Sequence, residues 1–252
     1  METSHPQSMT LVRWHPSSST AVALLTELGM IIAYAILGQN ANNVGVAALV
    51  GLLIVPILAV VIPVYWTTMV ERQGLAALGI TSRYWLLSLL LGLGLSLVVI
   101  APLLFATRLT AVPERWLPMA AAGAVSLFEP LFIFGWLQLR FEKDFGVLPA
   151  ILLAALCFAL YHIGYLPQEM TSQFYSAAAF AVVFRFTVNL LVTWPLLWAV
   201  TSAQICIGSN VCFANWGMVS GSAMVFVVEV VLIAAMGMLQ RRRELRTLPS
   251  AS

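Results

Sequence analysis

Several apolar stretches of this chain are as long as a bilayer is thick, which limits it to folds that a membrane permits. About 20 predominantly apolar residues are needed for a helix to cross the hydrocarbon core. Hydrophobic residues make up 61% of the 252 residues and charged residues only 9%, a balance far outside that of soluble domains. Because a backbone inside lipid must satisfy its own hydrogen bonds, we predict an all-α bundle of transmembrane helices.

The apolar stretches predict eight transmembrane helices. They lie near 20–38, 45–69, 84–107, 117–139, 147–166, 173–187, 188–205 and 216–239. Arg185 and Asn189 interrupt the sixth and seventh stretches, which are either two helices or one broken helix, so seven spans are an alternative. No long linker divides the chain, so we predict one transmembrane domain at 20–239, between a polar lead at 1–19 and a basic tail at 240–252.

The basic residues predict the orientation of the helices, since Lys and Arg gather at the cytoplasmic ends of membrane spans. In the eight-span arrangement one side receives only Arg108 and Arg115. The other side receives Arg13, Arg72, Arg83, Arg140, Lys143, Arg185, Arg241, Arg242, Arg243 and Arg246. Both termini are therefore predicted to be cytoplasmic. Short loops suit the bacterial inner membrane, and a scattered net charge of +2 excludes a nucleic-acid partner.

The polar lead has the composition of a short disordered segment. A cleaved signal peptide is an alternative, because Ala33-Tyr34-Ala35 has the small-x-small form of a cleavage site. Glu27, inside the same apolar stretch, argues against cleavage. Further along, Cys206 and Cys212 fall on the predicted non-cytoplasmic side, where a disulfide is permitted but not required.

Ionisable side chains inside apolar segments are the main candidates for function. Glu129 lies in FEPLFIFGWLQLR and His162 in CFALYHIGYL, on two consecutive predicted helices. These helices run antiparallel through a short turn, so both side chains can lie at a similar depth. The pair is either catalytic or a buried hydrogen bond that fixes the register of the helices.

This part of the sequence resembles the CAAX protease and bacteriocin-processing family (CPBP or Abi family) of intramembrane endopeptidases. That family carries Glu-Glu-x-x-x-Arg, commonly followed by Gly, then a short basic turn, Phe-x-x-x-His, and later His-x-x-x-Asn or Asp. Glu129 matches the first glutamate, Gly135 the glycine, and Phe158 with His162 the second motif. The resemblance implies a CAAX-protease-like core at about 117–205.

Other positions depart from the family pattern. Pro130 stands in place of the second glutamate and Phe134 in place of the arginine. No histidine follows His162. Where the third motif is expected, in TWPLLWAVTSAQ, the chain has Trp198, Ala199, Val200, Ser202, Ala203 and Gln204. These departures predict a catalytically degenerate member of the family, a pseudoenzyme.

The resemblance implies a water, on a metal or free, that the glutamate activates for attack on a peptide carbonyl. A catalytic zinc takes three protein ligands, whereas only Glu129 and His162 are well placed, and Cys157 lies off the helical face of His162. A conventional zinc site is not expected, and no other cofactor is predicted. Without a metal, Glu129 would be a general base and His162 an acid or oxyanion stabiliser.

Phe158, Gly135 and Arg185 are the candidate binding residues. Arg185 lies either at the cytoplasmic boundary or close enough to neutralise Glu129. Two more carboxylates, Glu27 and Glu229, lie inside the first and last spans and belong to no motif. Each of them can bind a partner, carry a proton or pair with polar groups of another helix.

Three functions fit these observations. The first is a scaffold, assembly factor or subunit that binds another membrane protein or a membrane-bound peptide between the fourth and fifth helices. The second is an active endopeptidase, a hydrolase that uses Glu129 and His162. The third is a small carrier that uses the carboxylates of Glu27, Glu129 and Glu229. The missing motif residues favour the first.

Overall fold

Regular structure in the described part of this computed structural model is helical throughout. The model describes residues 10–40, 42–106, 121, 128–162, 170–202 and 216–247. In chain order the helices are α1 (Ser18–Gln39), α2 (Val44–Val70), α3 (Trp85–Ala106), α4 (Pro130–Gln138), α5 (Leu139–Phe145), α6 (Val147–Tyr161), α7 (Met170–Thr187), α8 (Leu190–Ser202) and α9 (Trp216–Thr247). A short 3₁₀ turn at Leu75–Leu78 follows α2.

Three of the described helices have the length and apolar composition needed to cross a bilayer. They are α1, α2 and the Val219–Gln240 part of α9. The Trp85–Ala101 part of α3 and the whole of α6 are shorter apolar helices. The prediction of an all-α membrane protein is confirmed. The predicted fourth span is described only at residue 121 and from 128 onward, and the fifth only as far as 162.

The predicted sixth and seventh spans are two separate helices. The break between α7 and α8 contains Val188, which has a positive φ of 47°. The Asn189 side chain donates hydrogen bonds to the carbonyl oxygens of Thr81 and Arg83, both at 2.9 Å. Its own oxygen accepts from the N–H of Leu191 at 3.0 Å. The loop between α2 and α3 therefore fixes this break, and the single broken helix is not what forms.

Residues 10–17, here called the N-terminal strap, bind the turn between α5 and α6. The N–H groups of Arg13 and His15 donate to the carbonyl oxygens of Phe145 and Asp144, both at 2.9 Å. The Trp14 ring stacks on Phe145 with centroids 4.8 Å apart. The expectation of a disordered lead is therefore wrong for these residues. Its composition is polar, but its backbone satisfies carbonyl groups that the α5 end leaves unpaired.

Gly146 allows the strap to approach the turn. Its φ is +90° and its ψ is 176°, a conformation that is essentially limited to glycine. A Cβ atom there would lie 2.7 Å from the carbonyl oxygen of Thr10 and 2.8 Å from that of Leu11. Any other residue would push the strap away from the turn.

The π-helical α4 lies at the centre of the bundle. Every one of its nine residues is buried, and it packs against α1, α6, α7 and α8. Gly135 lets α4 contact the 3₁₀ turn, because a Cβ atom there would collide with the carbonyl oxygen of Leu78. Wide π-helical turns are rare and are frequent at functional sites, which draws attention to the residues at the start of α4.

Charged residues gather at one end of the bundle, here called the charged end. Arg140 of α5 pairs with Glu71 at 2.7 Å, and its guanidinium also donates to Thr67 at 2.7 Å. Arg185 of α7 pairs with Glu142 at 2.9 Å. The charged end comprises Arg13, Glu71, Arg140, Glu142, Lys143, Asp144 and Arg185. Its basic members are all residues that the charge asymmetry predicts on the cytoplasmic side, so the contacts agree with that prediction.

Candidate intramembrane site

Glu129 and His162 are brought together by α4 and α6. Glu129 directly precedes α4, and His162 directly follows α6. The Tyr161 hydroxyl donates a hydrogen bond to Oε1 of Glu129 at 2.9 Å. Nε2 of His162 lies 4.0 Å from the same oxygen. The three side chains form one cluster, which we call the Glu129 cluster.

The orientation of His162 follows from its neighbour one turn earlier. Nδ1 of His162 lies 2.7 Å from the carbonyl oxygen of Phe158. A carbonyl oxygen can only accept, so Nδ1 carries the proton and Nε2 is the nitrogen that faces Glu129. The Phe158 ring packs against the imidazole with centroids 4.7 Å apart. The spacing of the Phe-x-x-x-His motif thus fixes both the tautomer and the position of the ring.

Two tyrosines of this site were not singled out from the sequence. Tyr161 is fully buried, and its ring lies 4.2 Å from that of His162. Tyr34 of α1 packs edge-on against Tyr161 at 4.8 Å and against His162 at 5.9 Å. The available signal was the position of Tyr161 beside His162 in an apolar helix, where a buried hydroxyl needs a partner.

The Glu129 cluster is partly accessible. The side chain of Glu129 is 17% exposed and that of His162 12%. The carboxylate of Glu129 and the imidazole of His162 can therefore be reached by a molecule that packs beside the helices. Either hydrogen bonding to a partner or chemistry on a substrate needs this access.

The remaining candidate residues take different positions. Phe158 is buried and packs against His162 of the Glu129 cluster. Gly135 contacts the 3₁₀ turn through Leu78. Arg185 binds Glu142 at the charged end, which agrees with its boundary position and not with neutralisation of Glu129.

Phe134 occupies the place of the family arginine. It is fully buried and lies among the rings of Phe180 and Phe184, with centroids 6.4 Å and 6.0 Å away. The third motif is only partly visible, since the α8 backbone is described as far as Ser202. Ala203, Gln204, Cys206 and Cys212 lie outside the described residues, so the disulfide stays a prediction.

The resemblance implies that a metal can take part, and the described residues of this site offer two ligands for one. Glu129 and Nε2 of His162 are two donors, whereas a catalytic zinc needs three protein ligands. Nδ1 of His162 is bound to the carbonyl oxygen of Phe158, so this side chain offers Nε2 as its one ligand. Among the described residues no three His, Cys, Asp or Glu side chains lie close enough together to hold a metal ion.

The carboxyl groups of the charged end differ in their surroundings. Burial raises the pKa of Glu142, although Arg185 and Arg13 act against it. Burial also tends to raise the pKa of Asp144, but hydrogen bonds from Ser17 and Thr20, together with Lys143, outweigh it and hold that pKa below its ordinary value. Burial lowers the pKa of Arg140, although the negative charges of Glu71 and Asp144 act to raise it.

An all-α bundle with membrane-crossing helices and a partly buried Glu-Tyr-His cluster defines an integral membrane protein with a candidate intramembrane site. Residues 111–203 match the family of type II CAAX prenyl endopeptidases described as Rce1-like. The match confirms the resemblance drawn from the motifs, and it includes Glu129 and His162. The chain is therefore an integral membrane protein with a CAAX-protease-like region. No curated protein and no solved structure matches it.

Proposed function

We propose that this protein is a catalytically degenerate CAAX-protease-like protein that binds a membrane partner as a scaffold, assembly factor or subunit. The observation that carries this proposal is the position of Phe134 inside an aromatic core. A buried guanidinium needs a paired charge, and the neighbouring rings of Phe180 and Phe184 supply none. The position that bears charge in the family serves here to pack α4 against α7.

Pro130 and Tyr161 add support. Pro130 replaces a carboxylate that could transfer a proton, and it is fully enclosed at the start of α4. Tyr161 donates to one oxygen of Glu129, which links α6 to the start of α4. In this arrangement Glu129 serves as a hydrogen-bond acceptor that fixes two helices.

The partner we infer is an apolar segment of another membrane protein or a membrane-bound peptide. Three leucines of α6, Leu148, Leu152 and Leu156, are exposed at four-residue spacing and form one apolar face. The partly exposed Glu129 cluster lies at the end of the same helix. Apolar contact along α6 and a hydrogen bond to Glu129 or His162 would hold such a segment. The bacterial inner membrane is the location we infer for this complex.

Co-purification from native membranes in mild detergent tests the proposal. Wild type, Glu129→Ala and the control Glu229→Gln would be isolated and their bound proteins sized by mass spectrometry. We expect the same intact partners in a fixed ratio with all three forms. A longer precursor that is trapped only by Glu129→Ala would contradict the scaffold and show that proteolysis survives.

The partial exposure of Glu129 and His162 in one cluster favours a second candidate, an active endopeptidase. Glu129 would take the proton of the attacking water, Tyr161 would donate a hydrogen bond to the developing oxyanion, and His162 would donate a second one from Nε2 in its doubly protonated form. Purified protein would then cleave a membrane-bound peptide, and Glu129→Ala would abolish cleavage. Tyr161→Phe would lower the rate by about 10²-fold, the cost of losing one oxyanion donor.

A further inference from the structure

Glu27 is a buried carboxyl group that the family motifs do not include. It lies on α1 with a relative exposure of 4%. Neither of its oxygens has a hydrogen-bond partner in the described part of the chain. The single proton of the neighbouring Thr26 hydroxyl is donated to the carbonyl of Ala23, and its oxygen accepts from the indole of Trp136.

No cation compensates a charge on Glu27 in the described structure. The ion pairs there involve Glu71, Glu129 and Glu142, and none includes Glu27. An isolated carboxylate in an apolar interior costs far more than its neutral form. Physical chemistry therefore favours the carboxylic acid at this position.

Glu27 and the Glu129 cluster share one interface between α1 and α6. Tyr34, which contacts Tyr161 and His162, follows Glu27 by seven residues and so lies on the same face of α1, about 10 Å away along the axis. α1 packs directly against α6, and Tyr161 of α6 donates its hydroxyl proton to Glu129 at 2.9 Å. Tyr161 thus connects the α1–α6 interface, on which Glu27 and Tyr34 share one face of α1, to Glu129.

The titratable groups on the elements packed against α1 set the electrostatic environment of Glu27. The elements are α2, α4, α5 and α6. α4 carries no titratable residue, with Glu129 standing just before it, and α2 has none until Tyr65. The full set is Tyr65 and Glu71 near the end of α2, Glu129 before α4, Arg140, Glu142, Lys143 and Asp144 on α5, and Cys157, Tyr161 and His162 on or after α6.

We propose that Glu27 is an intramembrane proton-binding site, occupied by a proton at neutral pH and coupled through Tyr161 to Glu129. On ionisation the O–H bond of the carboxylic acid breaks, the proton passes to water or hydroxide, and the electron pair stays on the carboxylate. The second negative charge then faces Tyr161, which already donates to Glu129. The contact between α1 and α6 is weaker in this ionised form. This site does not depend on whether the cluster binds a partner or cleaves a peptide.

Infrared absorption of the protein in nanodiscs tests the proposal, because a protonated carboxyl group has its own C=O band. We expect wild type to show a band at neutral pH that Glu27→Gln lacks. In Glu129→Gln the Glu27 band should disappear at a lower pH than in wild type, since removal of a nearby carboxylate eases ionisation. Glu229→Gln is the matched control, because Glu229 is also buried with unbonded oxygens but lies on α9. It should leave the Glu27 band unchanged.

Two results would overturn the proposal. If Glu27→Gln retains every carboxyl band of wild type at neutral pH, Glu27 carries no proton. If the Glu27 band titrates identically in wild type and Glu129→Gln, the two groups are not coupled. Glu27→Asp guards against loss of folding, because it keeps a carboxylic acid and would shift the band without removing it. Thermal unfolding adds an independent readout. If Glu27 is protonated, Glu27→Gln replaces one neutral side chain with another, and the melting temperature should change little. If Glu27 is ionised and paired with a cation, the substitution leaves that cation unpaired and the melting temperature falls.

Discussion

At the scale of single residues, Phe134 tests whether this position can hold the charge that the family pattern carries there. Restoring the family arginine with Phe134→Arg places an unpaired guanidinium among Phe180 and Phe184. We expect a loss of about 3–5 kcal/mol in stability, the range seen when a buried charge lacks its partner. Thermal unfolding in detergent measures it, with Phe134→Leu as the apolar control.

The Phe134→Leu control separates charge from shape. It removes ring contacts but adds no charge, and we expect it to cost only about 1–2 kcal/mol. Equal losses in both variants would show that packing alone matters at this position. A stable Phe134→Arg protein would mean that a counter-charge reaches the site, and it would weaken the scaffold proposal.

Gly146 gives a second prediction at this scale. Gly146→Ala must adopt a φ of +90° and bring a Cβ atom to 2.7 Å from the Thr10 carbonyl. We expect the strap to detach and the protein to lose about 1–3 kcal/mol, measured by thermal unfolding and by faster proteolysis at residues 10–17. Gly94→Ala is the control, because a Cβ there meets nothing within 4 Å. Unchanged proteolysis of Gly146→Ala would contradict the role we assign to this glycine.

The sequence indicated the candidate residues Glu129 and His162 better than the side chains that surround them. Glu129 and His162 stood out because ionisable groups are rare in apolar helices, and antiparallel helices place them at one depth. Tyr161 and Tyr34 did not stand out, because tyrosines in apolar helices are common. Only the packing of α1 against α6 shows that they surround His162.

At the scale of elements, the N-terminal strap shows what a composition argument misses. The lead is polar enough to suggest disorder, yet it is held to the fold by backbone hydrogen bonds that composition does not encode.

The break between α7 and α8 also depends on contacts that the sequence does not reveal. Its position was visible in Arg185 and Asn189, but the contacts of Asn189 with Thr81 and Arg83 are tertiary and decide between one helix and two.

Asp144 predicts an acid-dependent release of the strap. Its pKa is held below the ordinary value because hydrogen bonds from Ser17 and Thr20 outweigh burial. A folded-state pKa below the unfolded one means that the carboxylate stabilises the fold above the unfolded pKa of about 4. That stabilisation is lost as the pH falls through the folded pKa. A spin label at Val12→Cys should therefore become mobile only in strongly acidic buffer.

Asp144→Asn is the control for this acid release. Its amide does not titrate, so the mobility of the label should no longer depend on pH in the acidic range. Glu142 has the opposite sign, because its raised pKa favours the protonated form and stability falls as the pH rises from about 4. It therefore cannot mimic the effect of Asp144. An acid release that persists in Asp144→Asn would assign the effect to another group.

At the scale of the whole molecule, the charged end ties together residues that are far apart in sequence. Arg13 and Arg185 both contact Glu142 there, and Arg140 pairs with Glu71. A bilayer keeps so many charges on one side, so the strap, the end of α2, α5 and the end of α7 share that side. The side reached by α9 depends on the number of crossings between 107 and 215, where the described residues leave gaps.

Thiol accessibility in intact cells would settle this arrangement. The three cysteines are introduced into a protein in which Cys157, Cys206 and Cys212 are replaced by Ser. With eight crossings, His15→Cys and Arg243→Cys lie on the cytoplasmic side and escape a membrane-impermeant thiol reagent, whereas Asn42→Cys, in the exposed loop after α1, reacts. With seven crossings Arg243→Cys reacts as well, because an odd number of spans separates the termini. Permeabilised cells provide the control, since all three exposed positions must then react. Labelling of His15→Cys in intact cells would show that the N-terminus and the charged end lie on the non-cytoplasmic side, opposite to the predicted orientation.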